Sequence, residues 1–521
     1  MPGAMCGRGE TGRRRRLKIS CPSGRAGSSP AVRTNRRALS RTGAALIAVC
    51  TLMGGCGRDD GGTVAISAIG GPPRLVNPNR EAMDTPSALL VEAAAQGLVR
   101  FDGGGEIEPA LAQRWIVSDD GLRYTFRLRA AQWQGGTRVT AEQVVARLKA
   151  AAAARSANRL KPILGAIEEI VAMTDDVLEI SLRSPRPNFL QLLAQPDMAL
   201  LHAGRGSGPY RAQRNPDGSL ALTLPRREDP EGDGAPPPPP LLLRGETAPL
   251  AVARFREGGT ELVLGGSLGD LPLARAAQPA RGALRFDPAA GLLGLSFLSA
   301  EGKFADRELR QAVAMSVDRE ALVAAMAVPG WGPRESLLPP GIEGLTAVSA
   351  PSWIRLPIDA RRARAAAIVR RVIEGGSPLA LRVAMPDGSG WRLLFAHLRR
   401  DWAAVGIAAT RVGPGASADL RLVDEVAPAA LASWYLRRFT CEASPICDPL
   451  ADERLAAARL APNALARRAL LADADRIFAG LGPFITLAAP VRWSLVSPRL
   501  TGFRPNPFAR HPVGDLIRPA A

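Results

Sequence analysis

"GLVRFDGGGEIEPALAQRWIVSDDGLRYTFRLRAAQWQGGTRVTAEQVVARL" runs from Gly97 to Leu148 and holds three signals in succession. Asp119-Asp120-Gly121 marks a turn, because Asp side chains bond their own backbone and Gly admits positive φ. Behind it Leu122, Tyr124, Phe126 and Leu128 alternate with Arg123, Thr125, Arg127 and Arg129. A period of two places one strand face in a core and the other in water. Thr140, with Gln143 three residues later, then opens a helix through a capping box, in which each side chain satisfies an orphan N–H.

The same alternation continues outward. Thr63–Ile69 reads as a strand, followed by the Gly/Pro-rich turn "GGPPRLVNPNR", which holds Asn77. "SALLVEAAAQ" is a short helix, and "TDDVLEISL" repeats turn and strand. "GRGSGPYRAQ" is a Gly-rich loop without the Lys-Ser/Thr ending of a phosphate loop. Arg227–Arg244, "REDPEGDGAPPPPPLLLR", reads as a Pro-rich surface excursion. In "ADRELRQAVAMSVDREALVAAMA", Leu309, Val313 and Val317, then Leu322, Val323 and Met326, keep helical spacing across a break. Asp318 caps the second segment. "IDARRARAAAIVRRVIEGG" is a helix capped by Asp359 and stopped by Gly375-Gly376. "PLALRVAMP" is a strand, and "GWRLLFAHLRRDWAAVGIAATRV" is a helix returning to a strand. Helices alternating with strands predict an α/β fold.

The N-terminus belongs to another class of sequence. Gly43 to Gly55 is an apolar run of thirteen residues, too short to span a bilayer, which takes about 20. Arg33, Arg36, Arg37 and Arg41 precede it, and the small pair Gly54-Gly55 leads into Cys56. A basic head, short apolar core and small residues at a cut mark an export signal. The cysteine just after the cut resembles a bacterial lipobox, with Met53 where Leu is usual. A plain signal peptide and a buried helix with an incidental cysteine are the other readings. The first thirty residues are either translated upstream sequence, with the true start nearer Val32, or a disordered basic arm. Residues 1–55 are therefore set apart from the fold.

Removing them changes the charge balance. The chain has 67 Lys+Arg against 49 Asp+Glu, a net +18. Residues 1–56 hold ten Arg and one Lys against one Glu, so +10 lies there and +8 remains. That residue of charge, scattered as Arg, does not call for nucleic acid. The remaining length suffices for two or three domains with cores of their own. Of the six cysteines, Cys441 and Cys447 alone would remain free after processing and lipidation. Their spacing, with Pro445 between, allows a disulfide in an oxidising compartment without showing one. A lone pair without nearby His is a poor zinc site, and neither a metal nor a cofactor is expected. His202, His397 and His511 stand far apart, with no carboxylate constellation, and read as structural.

Four stretches in order resemble the family 5 extracellular solute-binding proteins, the dipeptide- and oligopeptide-type binding proteins of ABC importers. They are Gly97–Leu148, "GSGPYR" (Gly206–Arg211), "FADRELRQAVAMSVDREALV" (Phe304–Val323) and "HLRRDWAAVGIAATRV" (His397–Val412). The resemblance implies an α/β, bilobed fold of the periplasmic-binding-protein type II kind with an extra inserted domain. It implies a first lobe in three pieces, residues 61–90, 205–285 and 484–521. It also implies an inserted domain over 91–204 and a second lobe over 286–483.

In peptide binders of this family an acid in an aromatic-containing segment of the second lobe holds the ligand's α-amino group. The matching stretch here is "ADLRLVDEVAPAALASWYLRRF", which offers Asp424 or Glu425, with Trp434 and Tyr435 behind them. The tryptophan the family places before the acid is missing. The family's aromatic before "GLV" is replaced by Ala95-Gln96, and "LSFLSAEGKF" lacks the Asn usual in that strand. A solvated loop with two ordinary surface acids is the other reading of Asp424 and Glu425. Trp331, exposed by the Gly and Pro of "VPGWGPRE", is expected to line the cleft, whereas Trp115, Trp133 and Trp402 sit in periodic segments and read as core. Asn77 and Gln96 complete the expected ligand-binding set.

The resemblance implies a monomeric receptor, lipid-anchored in the periplasm or cell envelope, that carries a small ligand, a peptide before others, to an ABC permease. The competing class is an envelope hydrolase. That reading lacks any G-x-S-x-G or H-E-x-x-H signature.

Overall fold

The computed structural model describes residues 62–186, 188–225, 239–373 and 378–516. The export segment, Cys56, Gly61 and the expected helix stop at Gly375-Gly376 lie outside the described residues.

Two sheets dominate. The first has seven strands in the order Leu284–Asp287, Arg492–Val496, Leu262–Ser267, Val64–Ile69, Leu241–Glu246, Leu220–Thr223, Arg211–Arg214. Val64–Ile69 runs parallel to both its neighbours, and strands buried on both faces read as apolar runs. The second has five strands in the order Ile407–Val412, Leu379–Ala384, Leu420–Val426, Gly291–Phe297, Phe484–Ala488. A four-stranded antiparallel sheet made by Ala112–Val117, Arg123–Leu128, Val177–Leu182 and Ile167–Ala172 stands apart, with its own core around Phe126, Trp133, Val144 and Leu178. The fold is thus α/β with two lobes. Among the described residues no helix is long and apolar enough to cross a membrane.

The chain crosses between the two large sheets by a pair of three-residue links. Leu284–Asp287 continues into Gly291–Phe297, and Phe484–Ala488 continues into Arg492–Val496. The two crossings lie side by side, because these strands pair on both sides of the gap: Asp287 faces Arg492, and Leu293 faces Ala488.

The period-two stretch forms its strand, with Tyr124, Phe126 and Leu128 buried and Arg123 and Arg127 exposed. The Thr140–Gln143 capping box is present in full. Asp318 accepts the Ala321 N–H at 2.9 Å and caps its helix.

Several sequence expectations need correction. Helix α1 spans Thr85–Ala95, so a joint at 90/91 would cut a helix whose Leu89, Leu90, Ala93 and Ala94 all pack on the first lobe. Phe484–Ala488 pairs with Gly291–Phe297 in the second sheet, so the return to the first lobe falls after Ala488. Leu241–Glu246, read as the tail of a Pro-rich excursion, is an inner strand with Leu241 and Leu243 fully buried. Its partner Val64–Ile69 supplies the hydrogen bonds that a solvated excursion would take from water. The helix Ile358–Val372 starts one residue before Asp359, which lies in its first turn and does not cap it.

Candidate functional site

A cavity of about 840 Å3 lies between the two lobes. Its walls come from α1, from Leu264–Gly266 and Arg492–Ser494 of the first sheet, and from Asp424–Pro428 and Trp434 of the second lobe. Arg159, Ile163 and Gln195 of the inserted part and Phe508–His511 close it. Sites of a few hundred to about 1,000 Å3 take ligands of drug size.

Helix α1 is set from both ends. Asp84 caps it, one carboxylate oxygen accepting the Ser87 N–H at 3.1 Å and the other the Gly71 N–H at 2.8 Å. At the far end Gly208 and Tyr210 donate their N–H groups to the carbonyls of Ala94 and Ala93. The loop comes this close because it carries glycines there. A Cβ on Gly206 would lie 2.1 Å from the Ala94 carbonyl oxygen, and one on Gly208 would lie 2.4 Å from that of Ala93. Glu92 is the one charged residue in the helix sequence TPSALLVEAAA, and it lines the cavity. Burial pushes it above the usual carboxylate range, opposed first by Arg510 and then by His511.

The expected acids are both at the cavity and both engaged. Arg492 donates through Nη1 to each carboxylate oxygen of Asp424 at 2.9 Å and through Nη2 to the Asp424 carbonyl at 3.1 Å. This pair joins the second sheet to the first. Burial still holds Asp424 above its ordinary value, against the pull of Arg492. Glu425 forms an ion pair with Arg438.

Trp434 lines the cavity and meets Tyr435 edge to face at 4.8 Å. Tyr435 lies behind it, fully buried, its hydroxyl pushed up to about 12 by burial. Its place is the second-lobe core, not the cavity wall. Trp331 is also absent from the wall. Its indole N–H has a partner in the Ala489 carbonyl at 2.8 Å, which turns the ring onto the core despite the flanking Gly and Pro. Asn77 makes a local turn by accepting the Asn79 N–H. Gln96 ties α1 to the Gly-rich loop by donating to the Ser207 carbonyl at 2.9 Å. Neither side chain lines the cavity. Trp133 and Trp402 are buried in cores and Trp115 is partly buried against one.

Cys441 and Cys447 are bonded as a disulfide, and the loop it closes contributes Glu442 and Ala443 to the rim. Among the described residues no three His, Cys, Asp or Glu side chains gather as a metal-holding group.

The sequence reading missed the cavity floor. His511, read as lacking a carboxylate, lies against Asp287, Nε2 to Oδ2 3.2 Å, across 224 positions of sequence. Asp287 also accepts the Asn506 N–H at 3.0 Å. Asn506 in turn accepts the N–H groups of Phe508 and Arg510 and donates to the Arg510 carbonyl at 2.6 Å. The backbone that carries Arg510 into the cavity is therefore fixed on three sides. For Glu92 a signal was available: a single acid inside an otherwise apolar helix is costly to bury unless something uses it.

The model of bacterial extracellular solute-binding proteins, family 5 Middle, matches residues 106–438. A probable deoxycholate-binding periplasmic protein of Escherichia coli is 25% identical over 336 residues, 57% of this chain and 61% of the relative. A glutathione-binding protein of Escherichia coli is 31% identical over 191 residues, 33% of this chain and 36% of the relative. The matches thus span about three fifths and one third of these relatives. Among solved structures, OppA of Haemophilus influenzae in complex with RPPGFSPFR superposes with a TM-score of 0.74 at 18% identity, covering 86% of this chain and 97% of that one. The Escherichia coli murein tripeptide binding protein superposes with a TM-score of 0.73 at 19% identity, covering 86% and 96%.

Proposed function

Since the chain belongs to the family 5 bacterial extracellular solute-binding proteins, we propose that it is the ligand-binding component of an ABC importer. It takes a small peptide-like zwitterion into the cleft between its lobes and delivers it to a membrane permease. The observation that carries this reading is the cavity itself, of ligand size, with walls from both lobes and charges of both signs. A ligand touching both walls favours the closed form by its differential contacts, and a permease can read that closure. One structural neighbour solved in complex with RPPGFSPFR and another named as a murein tripeptide binding protein support the same ligand class. A bile acid, the ligand named for one relative, has a carboxylate but no cation, and would leave Glu92 facing a steroid. The receptor works as a monomer at the outer face of the inner membrane, held there by lipid on Cys56. Binding, not hydrolysis, is its activity.

The test is thermal unfolding of the exported protein with a pool of free di- and tripeptides, and separately with deoxycholate. A ligand at 100 times its Kd stabilises by about 2.7 kcal/mol. The peptide pool is expected to raise the Tm. A Tm moved by deoxycholate alone would replace the peptide reading, and a Tm unmoved by the pool would end it.

A further inference from the structure

We propose that Glu92 receives the ammonium group, and Arg510 the carboxylate, of a zwitterionic ligand in the cleft. The inference rests on the binding role proposed above and names the groups that do the recognising.

The acids at the cavity differ in whether they already have partners. Asp84 is spent on the α1 cap. Asp287 holds His511 and the Asn506 N–H. Asp424 is held by Arg492, and Glu425 by Arg438. Glu92 makes no hydrogen bond or ion pair among the described residues, although it lines the cavity from a helix that is otherwise apolar. The cations sort in the same way. Arg492 and Arg438 are paired as above, Arg159 with Asp197 at 2.8 Å, and Arg437 donates to the Pro162 carbonyl. The Arg510 side chain makes no ion pair or hydrogen bond among the described residues, while its backbone is clamped by Asn506, itself buried. Glu442, also unpaired among the described residues, stands exposed on the disulfide loop at the rim, which leaves one carboxylate and one guanidinium open at the cavity floor. Each sits on a backbone fixed by other contacts, which is what a preorganised site requires.

The two are electrostatic neighbours, since Arg510 is the largest opposing influence on the Glu92 carboxyl. They form no ion pair with each other. A zwitterion laid between them gives each charge a partner, and charge-assisted bonds in a desolvated cleft are the strong ones. Burial keeps a proton on Glu92 more readily than on a free carboxylate. An arriving ammonium group opposes that shift, because a nearby positive charge favours the ionised carboxylate.

The test titrates the full exported protein by calorimetry with three probes: a tripeptide pool, the same pool N-acetylated, and the same pool C-amidated. The wild type is expected to bind the free pool and to discriminate against both blocked pools. Glu92→Gln should bind the free pool at least ~30-fold more weakly, the smallest loss typical for truncating a desolvated charge partner. It should also no longer distinguish the free from the N-acetylated pool. Arg510→Gln should lose discrimination against the C-amidated pool. The wild type's own discrimination against the two blocked pools is a readout that needs no variant to fold. A Glu92→Gln protein that binds within twofold of wild type, or a wild type that binds free and N-acetylated pools alike, overturns the subsite and leaves the receptor reading standing. A wild type that ignores all three pools ends the peptide reading itself.

Discussion

Glu343 shows how far a single side chain reaches in this protein. Its Oε1 accepts from Arg467 Nη2 at 2.9 Å, and its Oε2 accepts the Ala432 N–H at 2.8 Å. The second bond orients the start of the short helix that carries Trp434 to the cavity. Both charges are nearly removed from water, at 9% and 8% exposure. Removing one partner of a buried pair leaves an uncompensated charge, at about 3–5 kcal/mol. Glu343→Ala should therefore lose stability of that order in urea unfolding, and a loss below about 1 kcal/mol would show that water reaches Arg467. The Asp424–Arg492 pair behaves differently. Burial outweighs Arg492 and keeps the Asp424 carboxyl above its ordinary value. Its contribution to stability is thus fully present below the unfolded carboxylate pKa and is lost as pH rises through the folded one. The sequence led to Asp424 and Glu425 at the cavity, because a family pattern points to a position in the chain. It could not show that Arg492, 68 positions on, engages the first of them.

At the scale of elements, legibility follows the range of the forces. The capping box at Thr140 and the alternation from Leu122 to Leu128 are settled within one turn or one strand, and both could be read directly. Leu241–Glu246 could not. Its strand character depends on Val64–Ile69, almost 180 residues earlier, and five prolines in front of it gave the opposite local signal. The Gly-rich loop is a middle case. The missing Lys-Ser/Thr ending ruled out a phosphate loop, but the purpose of its glycines, close approach to α1, could not be read locally. Adding a methyl group at Gly208 puts a Cβ 2.4 Å from the Ala93 carbonyl oxygen, and something must shift. Overpacking of this kind costs about 1–3 kcal/mol. Gly208→Ala should lower stability by that amount in urea unfolding, and because α1 carries Glu92, affinity for the free tripeptide pool should fall with it. Unchanged affinity beside lowered stability would mean that α1 is held elsewhere.

For the whole molecule the question is what sets closure. Two three-residue crossings join the lobes, and strand pairs flank them on both sides. Such a ribbon bends more readily than it stretches, so the lobes can move chiefly by rotation about it. The inserted part also meets the second lobe, through Ala429, Leu431 and Trp434 in its core and through polar contacts beside them. Asn188 donates to the Ala430 carbonyl at 2.7 Å, and Gln191 Oε1 accepts the Ala430 N–H at 3.3 Å. Neither side chain lines the cavity. These bonds favour the closed arrangement without touching ligand. Each contributes about 0.5–1.5 kcal/mol, so removing both shifts the opening equilibrium by about 1–3 kcal/mol. When only the closed form holds ligand fully, apparent affinity falls with the closed population. The Asn188→Ala, Gln191→Ala double variant should therefore bind the free tripeptide pool about tenfold more weakly, with Tm near that of wild type. Small-angle scattering should show a larger radius of gyration without ligand and the wild-type value at saturation. A variant as compact as wild type without ligand would place the control of closure at the crossings and at the Asp424–Arg492 pair between the sheets.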